Sequence, residues 1–315
     1  MRGDEREKSG DWTTQMAGLT GFMQGFAAVD WGSSARRVYV LDPVGRVRHE
    51  EEDAAGTLTI APEHFASEVQ ALRARIGDMP MLLGGMVGSN RGWMEAPYVR
   101  CPATLPDIAR QLLWAEPGRT AIVPGVSLIE EGRADVMRGE EIQVFGAQAL
   151  RPTEARTLIC HPGTHTKWIE VEAGAIVRFR TVMTGEMFAL LRKHSILADL
   201  LAEPAAPGAA FQRGVERGYA GETLTAELFS IRAGVLLGTI AREDAPSFAS
   251  GLLIGCDLRG GLEAAAADDE ILVLGRGSLT SLYAAAIAQC GYRTREMDGA
   301  AAFVAGMRAI AETIS

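Results

Sequence analysis

The stretch Cys160-His161-Pro162-Gly163-Thr164-His165-Thr166-Lys167-Trp168 sets two histidines four residues apart beside a cysteine. Three chemistries compete for it: a metal site, a thiol with its base, and a tight corner that offers donors to an anion. The two histidines would share a face only on a helix, and Pro162 and Gly163 break any helix between them. No third ligand follows at the spacing of a zinc site. Cys160 ends the apolar run "TLIC" and reads as a small buried hydrophobe. The corner reading remains. Gly163 lets the backbone approach a ligand closely, Thr164 and Thr166 add hydroxyl donors without bulk, and Lys167 adds a cation.

The corner has a counterpart upstream. "FAAVDW" is a short apolar strand, Gly32-Ser33-Ser34 supplies turn residues, "RVYVL" resumes as a strand, and "RVRHE" follows a turn at Asp42–Gly45. At Arg156 the same order begins again: "TLIC", "HPGTHT", "KWIEV", a turn at Glu172-Ala173-Gly174, then "AIVRFRTV". A strand–corner–strand–turn–strand unit therefore occurs twice, each copy followed by mixed helix and strand. The expected architecture is α/β, with two lobes around an interlobe cleft: 25–150 carrying the first corner and 151–315 the second. Residues 1–24 read as a disordered leader without the apolar core of a signal peptide.

Helices are expected near 62–76, 105–115, 140–150, 185–200, 224–237 and 247–267, and at 278–291 and 299–314 near the end. Strands are expected at 81–86, 120–126, 270–275 and 292–298. Two hydroxyl-bearing corners, one per lobe, suit a polyphosphate gripped from both sides. Asp30 stands beside the donors of the first, where a carboxylate orients Mg²⁺ and its waters.

Composition narrows the partners. The 315 residues are 47% hydrophobic, enough for two cores, and the net charge of −9 argues against nucleic acid and anionic membranes. No apolar run approaches a membrane span. Four scattered cysteines suit reduced thiols in the cytoplasm. Nothing in the sequence sets the oligomeric state, and a homo-oligomer is compatible with it.

Two further segments carry chemistry. In "ADVMRGEEIQVFGA", Asp135, Glu140 and Glu141 are read as a cluster at a helix start, one of them projecting to accept a proton from an attacking hydroxyl. In "LVLGRGSLTSLY", Gly275 and Gly277 form a strand–Gly–helix turn, but Thr280 replaces the third glycine of a dinucleotide fingerprint, so a nucleotide platform fits better than NAD.

These pieces, in this order, resemble the acetate and sugar kinase/Hsp70/actin superfamily, a ribonuclease H-like fold. Within it, "VDWGSSARRVYV", "GGMVGSNRGWMEAPYVRCPA", "DVMRGEEIQVFGA", "HPGTHTKWIEV", "TVMTGEMFALLRKHSIL" and "SGLLIGCDL" are similar to the 2-dehydro-3-deoxygalactonokinase family. The resemblance implies transfer of a phosphoryl group from ATP to the 6-hydroxyl of 2-dehydro-3-deoxygalactonate, in galactonate catabolism. It matches Asp30, Gly32, Ser33 and Ser34 to the first phosphate corner, and Gly163, Thr164, His165 and Thr166 to the second, with Lys167 beside it. Gly275 and Gly277 fall in the adenosine loop, and Gly299 begins a second connecting helix. This sequence departs from the family by Ser at both 33 and 34 and by Ala35 where a polar residue is usual.

For the sugar acid, Ser89, Asn90, Arg91 and Trp93 follow a buried strand, and Tyr98 lies just beyond. Arg91 can clamp a carboxylate bidentately, with Arg100 and Arg138 as alternatives. Neighbouring readings are a kinase for another 2-keto-3-deoxy sugar acid, a phosphohydrolase of the same superfamily, and a non-catalytic sugar-responsive regulator.

Overall fold

A computed structural model describes residues 21–152, 156–221 and 223–314. Two compact units share them. The first takes the described residues through 152 with Gly174–Ile176 and 300–314; the second takes 156–173 and 177–299. The expected leader lies outside the described residues except for its last four, where Phe22 is buried against Phe26 and Trp114.

In the first unit β1 (Phe26–Trp31), β2 (Arg36–Leu41) and β3 (Val47–Asp53) form an antiparallel meander. Helix α1 (Phe65–Ile76) leads to β4 (Met81–Gly85), which lies parallel to β1. Next come β5 (Tyr98–Arg100), β6 (Ala103–Thr104), α2 (Leu105–Arg110), β7 (Leu113–Glu116) and β8 (Thr120–Ile122). The hairpin β9 (Gly125–Glu130) and β10 (Arg133–Met137) precedes α3 (Glu140–Leu150). The main sheet runs β3-β2-β1-β4-β8-β7. Its central strands β1 and β4 are apolar apart from Asp30 because both faces are covered. One face packs Phe65, Val69 and Leu72 of α1, spaced at helical period. Each such burial contributes roughly 1.5–3 kcal/mol.

On the other face, Ile142 of α3 and Phe303 and Met307 of the C-terminal helix (Gly299–Ile314) close on Gly84. The two helices touch backbone to backbone. A Cβ on Gly146 would lie 1.7 Å from the Ala302 carbonyl oxygen, and one on Gly306 would lie 2.0 Å from that of Ile142. Here the structure moves a boundary: the C-terminal helix, expected with 151–315, belongs from residue 300 to the first unit. Its apolar residues Phe303 and Met307 pack on α3 and this sheet.

The second unit repeats the order. β11 (Thr157–His161), β12 (Thr166–Glu172) and β13 (Ala175–Val182) are followed by helices α4 (Thr184–His194), α5 (Ala209–Ala220), α6 (Leu224–Leu236) and α7 (Ala245–Gly261). Then come β14 (Glu270–Gly275), α8 (Gly277–Gln289) and β15 (Arg293–Asp298), and the strands run β15-β14-β11-β12-β13. This is the same sequence of neighbours as β3-β2-β1-β4-β8 read in reverse, with β11 in the place of β1 and β14 in the place of β4. The repeat inferred from two corners is thus a repeat of whole topologies, and both units have the expected α/β, ribonuclease H-like architecture.

Several elements differ from expectation: the helix expected at 185–200 ends at His194, and the short strands β5, β6, β7, β9 and β10 are additional. The helix expected at 105–115 stops at Arg110, since Leu113–Glu116 pairs with β8 and Glu116 binds Arg73. The strand expected at 120–126 divides at Pro124, whose missing N–H ends the ladder. The helix expected at 247–267 ends at Gly261, against the Trp168 indole. Helix α5 is additional: Gly214 and Gly218 weaken its helical signal, yet they abut the backbone of α7 at Phe248 and Leu252, while Gly251 and Gly255 of α7 abut Phe211 and Val215 of α5. Small residues spaced four apart on both helices permit that approach.

Candidate active site

In the first unit the alternation of β1 sends Val29 and Trp31 into the α1 core. It leaves Asp30 on the face of α3. The Asp30 carboxylate is largely buried, 3.5 Å from the Arg37 guanidinium, and feels the charge of Glu140. Burial raises its pKa above the ordinary value, Arg37 opposes that rise, and Glu140 adds to it. The corner beyond it is fixed by backbone: Gly32 N–H donates to Ala35 O, Thr57 N–H to Gly32 O, and Leu58 N–H to Ser33 O. Ser34 is exposed and Ser33 half-buried, and neither hydroxyl is engaged by a described residue. From behind, Arg36 (2% exposed) lies over the Trp31 ring and pairs with Asp53 at 2.6 Å and Glu68 at 3.2 Å.

The acidic turn reaches the same place through two glycines. Gly139 (φ +103°) lies against Gly85 (φ +84°), and Gly85 lies against Asp30. A side chain on either would push the turn away. Both oxygens of Glu141 accept the Gly139 N–H, at 2.7 and 2.9 Å, and the side chain is fully buried. Burial, then the charge of Glu140, pushes the Glu141 pKa up to about 8. Glu140 is half-buried, and its Oε2 accepts the Arg138 N–H at 3.1 Å. Asp135 is elsewhere: it lies on β10, opposite Leu128, paired with Arg133 at 3.1 Å. The expected cluster of three at a helix start is therefore two, Glu140 and Glu141, because the residues before Arg138 belong to a hairpin.

The loop after β4 divides its residues. The Ser89 hydroxyl donates to Met86 O and accepts from Arg91 N–H, so it shapes the turn. Trp93 packs into the α1 core. Asn90 and Arg91 are exposed, and the Arg91 guanidinium has no partner among the described residues. Tyr98 is 38% exposed, with Arg138 stacked 4.3 Å from its ring centroid. Arg100 is exposed and donates to Ile129 O at 3.4 Å.

In the second unit the corner turns in two directions. Gly163, Thr164 and His165 face outward, and the Thr164 hydroxyl is engaged by no described residue. His165 Nε2 lies 2.5 Å from Glu186. Thr166 and Lys167, expected at the phosphates, are buried at 0% and 5% exposure. The Thr166 hydroxyl meets Tyr283 OH at 2.8 Å, which makes it a brace under the corner. The start of α4 locks the corner: Glu186 N–H donates to Thr164 O, and a Cβ on Gly185 would lie 2.4 Å from Gly163 O.

Beneath lies a carboxylate that sequence reading missed. Asp257 accepts from Trp168 Nε1 at 2.7 Å, Thr184 Oγ1 at 2.6 Å and Tyr283 OH at 2.5 Å, all buried. Burial raises its pKa while these donors oppose the rise. Its one sequence signal is a lone charge inside the apolar helix "SGLLIGCDL". Cys160 is fully buried and its thiol pKa is raised by burial, as expected of a packing residue. Gly275 and Gly277 line a pocket of about 220 Å³ with Arg276, Thr280, Glu296, Met297 and Asp298. Thr280 takes its place there by packing under Gly275, where a Cβ would stand 2.7 Å from its hydroxyl.

The donor set suits phosphate: glycine corners, free hydroxyls and few obstructing side chains. For a divalent ion the described residues offer Asp30 and no cluster of three ligands, which suits an ion that keeps most of its waters, as Mg²⁺ does. No described helix is long and apolar enough to cross a membrane.

Paired hydroxyl-bearing corners on duplicated units, with a carboxylate beside the first, are the parts that a phosphotransferase needs. Residues 30–310 match the profile of the family described as 2-keto-3-deoxy-galactonokinase, and the chain belongs to that family. It is 35% identical over 298 residues to the 2-dehydro-3-deoxygalactonokinase of Escherichia coli (strain K12), covering 92% of this chain and 98% of that one. A Rhizobium meliloti (strain 1021) protein given the same name provisionally is 37% identical over 298 residues, covering 92% of this chain and 97% of that one. The crystal structure of a Sinorhizobium meliloti protein assigned to the same activity superposes with a TM-score of 0.87, at 35% identity over 92% of this chain and 99% of that one.

Proposed function

We propose that the chain is an ATP-dependent kinase that phosphorylates the 6-hydroxyl of 2-dehydro-3-deoxy-D-galactonate. The observation that carries this reading is Glu140, held beside Asp30 at the acidic turn, within the unit that also bears the substrate loop. Glu140 takes the proton from the attacking hydroxyl, a role that Glu141 cannot fill while its two oxygens cap the Gly139 N–H in a buried site. Arg91, exposed in the loop after β4, holds the sugar-acid carboxylate as a bidentate pair, flanked by Asn90 and Tyr98.

Ser33, Ser34 and the Gly32 backbone form one phosphate contact, and Gly163, Thr164 and His165 form the other. The pocket at Gly275 and Gly277 takes the nucleoside. Asp30 would hold the divalent ion that accompanies the nucleotide. When bound, Mg·ATP supplies the phosphoryl group and neutralises the charge that develops on it. The residues of the chain position the acceptor, accept its proton and present hydrogen-bond donors where that charge appears.

An ADP-release assay over a panel of 2-dehydro-3-deoxy sugar acids tests the reading. Turnover should be greatest with the galactonate derivative and absent without an acid. No release with any acid would overturn it.

A further inference from the structure

We infer that Arg138 is a positioning residue that ties the substrate loop to the acidic turn; the inference rests on the kinase reading above. Arg138 stands between β10 and α3, one residue before the turn that bears Glu140 and Glu141. Its side chain runs under the loop of residues 88–98. Nη2 donates to Ala96 O at 2.7 Å, and the guanidinium carbon lies over the Tyr98 ring, 4.3 Å from its centroid. Gly88 makes room for it: a Cβ there would lie 2.8 Å from Nη1. Its main-chain N–H donates to Glu140 Oε2, and its charge acts on Glu141, opposing the rise of that pKa. One residue thus touches both halves of the acceptor site.

Nε and Nη1 are buried and have no hydrogen-bond partner among the described residues. Those atoms are out of reach of a ligand in this arrangement, so Arg138 is removed as an alternative to Arg91 for the carboxylate. A buried guanidinium with unmet donors is also not what stability alone retains, because an apolar side chain of the same length would fill the space without that desolvation cost. What the guanidinium adds is a fixed plane: a flat cation sets the tilt of Tyr98 while its edge holds the Ala96 carbonyl.

The test compares R138M, R138K and Y98F with the wild type by steady-state kinetics and by amide hydrogen exchange without ligand. R138M should raise KM for the sugar acid at least tenfold, leave KM for ATP within twofold, and speed exchange at residues 88–98 while the amides of the second unit are unchanged. R138K keeps the charge and a donor for Ala96 O but loses the plane, so it should recover part of the KM. Y98F keeps the ring under the guanidinium, so exchange at residues 88–98 should match that of the wild type whatever happens to its KM. Equal changes in both KM values, or unchanged exchange at 88–98, would overturn the assignment. Wild-type inactivity on every sugar acid would sink the kinase reading instead, while the exchange result would still decide whether Arg138 holds the loop.

Discussion

The two corners share a strand order but are held by different chemistry. The first is braced by charge: Arg36 against Asp53 and Glu68 behind it, Arg37 against Asp30 within it. The second is braced by hydroxyls and an indole converging on one buried carboxylate, Asp257, with Thr166, Trp168, Thr184 and Tyr283 around it. In the first unit a carboxylate comes forward to the site; in the second it stays below, and neutral donors come forward. On the proposed reading, unit one moves the proton and unit two holds the anion.

The sharpest way to break this division is at Glu140. E140Q should lower kcat by about 10²–10⁴-fold with both KM values nearly unchanged, measured by ADP release. A variant with full kcat would move the base elsewhere. D257N comes next. It sets an amide against three donors that need an acceptor and should cost about 2–4 kcal/mol in chemical denaturation. Because the second corner rests on this network, KM for ATP should rise while KM for the sugar acid stays within twofold. A neutral effect would mean that the Asp257 network does not support the corner.

The pH dependence of stability separates the units further. The folded-state pKa of Glu141 is about 8 against an ordinary value of 4.5, so the folded state holds a proton that the unfolded chain releases. Its contribution is fully present below pH 4.5, falls as pH rises through that window, and is gone above about pH 8. The slope is on the order of 1.4 kcal/mol per pH unit where this group dominates. E141Q, which cannot ionise, should flatten the curve between pH 5 and 8 in denaturant titrations; an unchanged slope would assign the dependence to other groups. The smallest effect is expected at Thr164. T164V removes one exposed hydroxyl and should raise KM for ATP by about five- to tenfold, the worth of one hydrogen bond, with kcat for saturating substrates little changed.

Local features were legible. Pro162-Gly163 marked the second corner because a turn is decided by the residues within it, and α3 appeared at its observed bounds because Ile142, Phe145 and Ala149 recur at helical period. Helix α5 and the strands β9 and β10 were not, since Gly214 and Gly218 weaken a helix unless a partner helix needs them. Asp257 was hidden for the same reason: its donors come from β12, α4 and α8.

The sequence alone determined the duplication, the two corners, the carboxylates at 140 and 141, and the kinase resemblance, all of which are written in short-range pattern. Only the tertiary structure decided which of these residues are exposed and which are buried. It turned Thr166 and Lys167 inward, moved Asp135 onto a hairpin, buried Glu141, sank Arg138 beneath its loop and joined the C-terminal helix to the first unit. Each of these depends on burial against a distant segment, and burial, unlike a turn, is a property that neighbouring residues cannot carry by themselves.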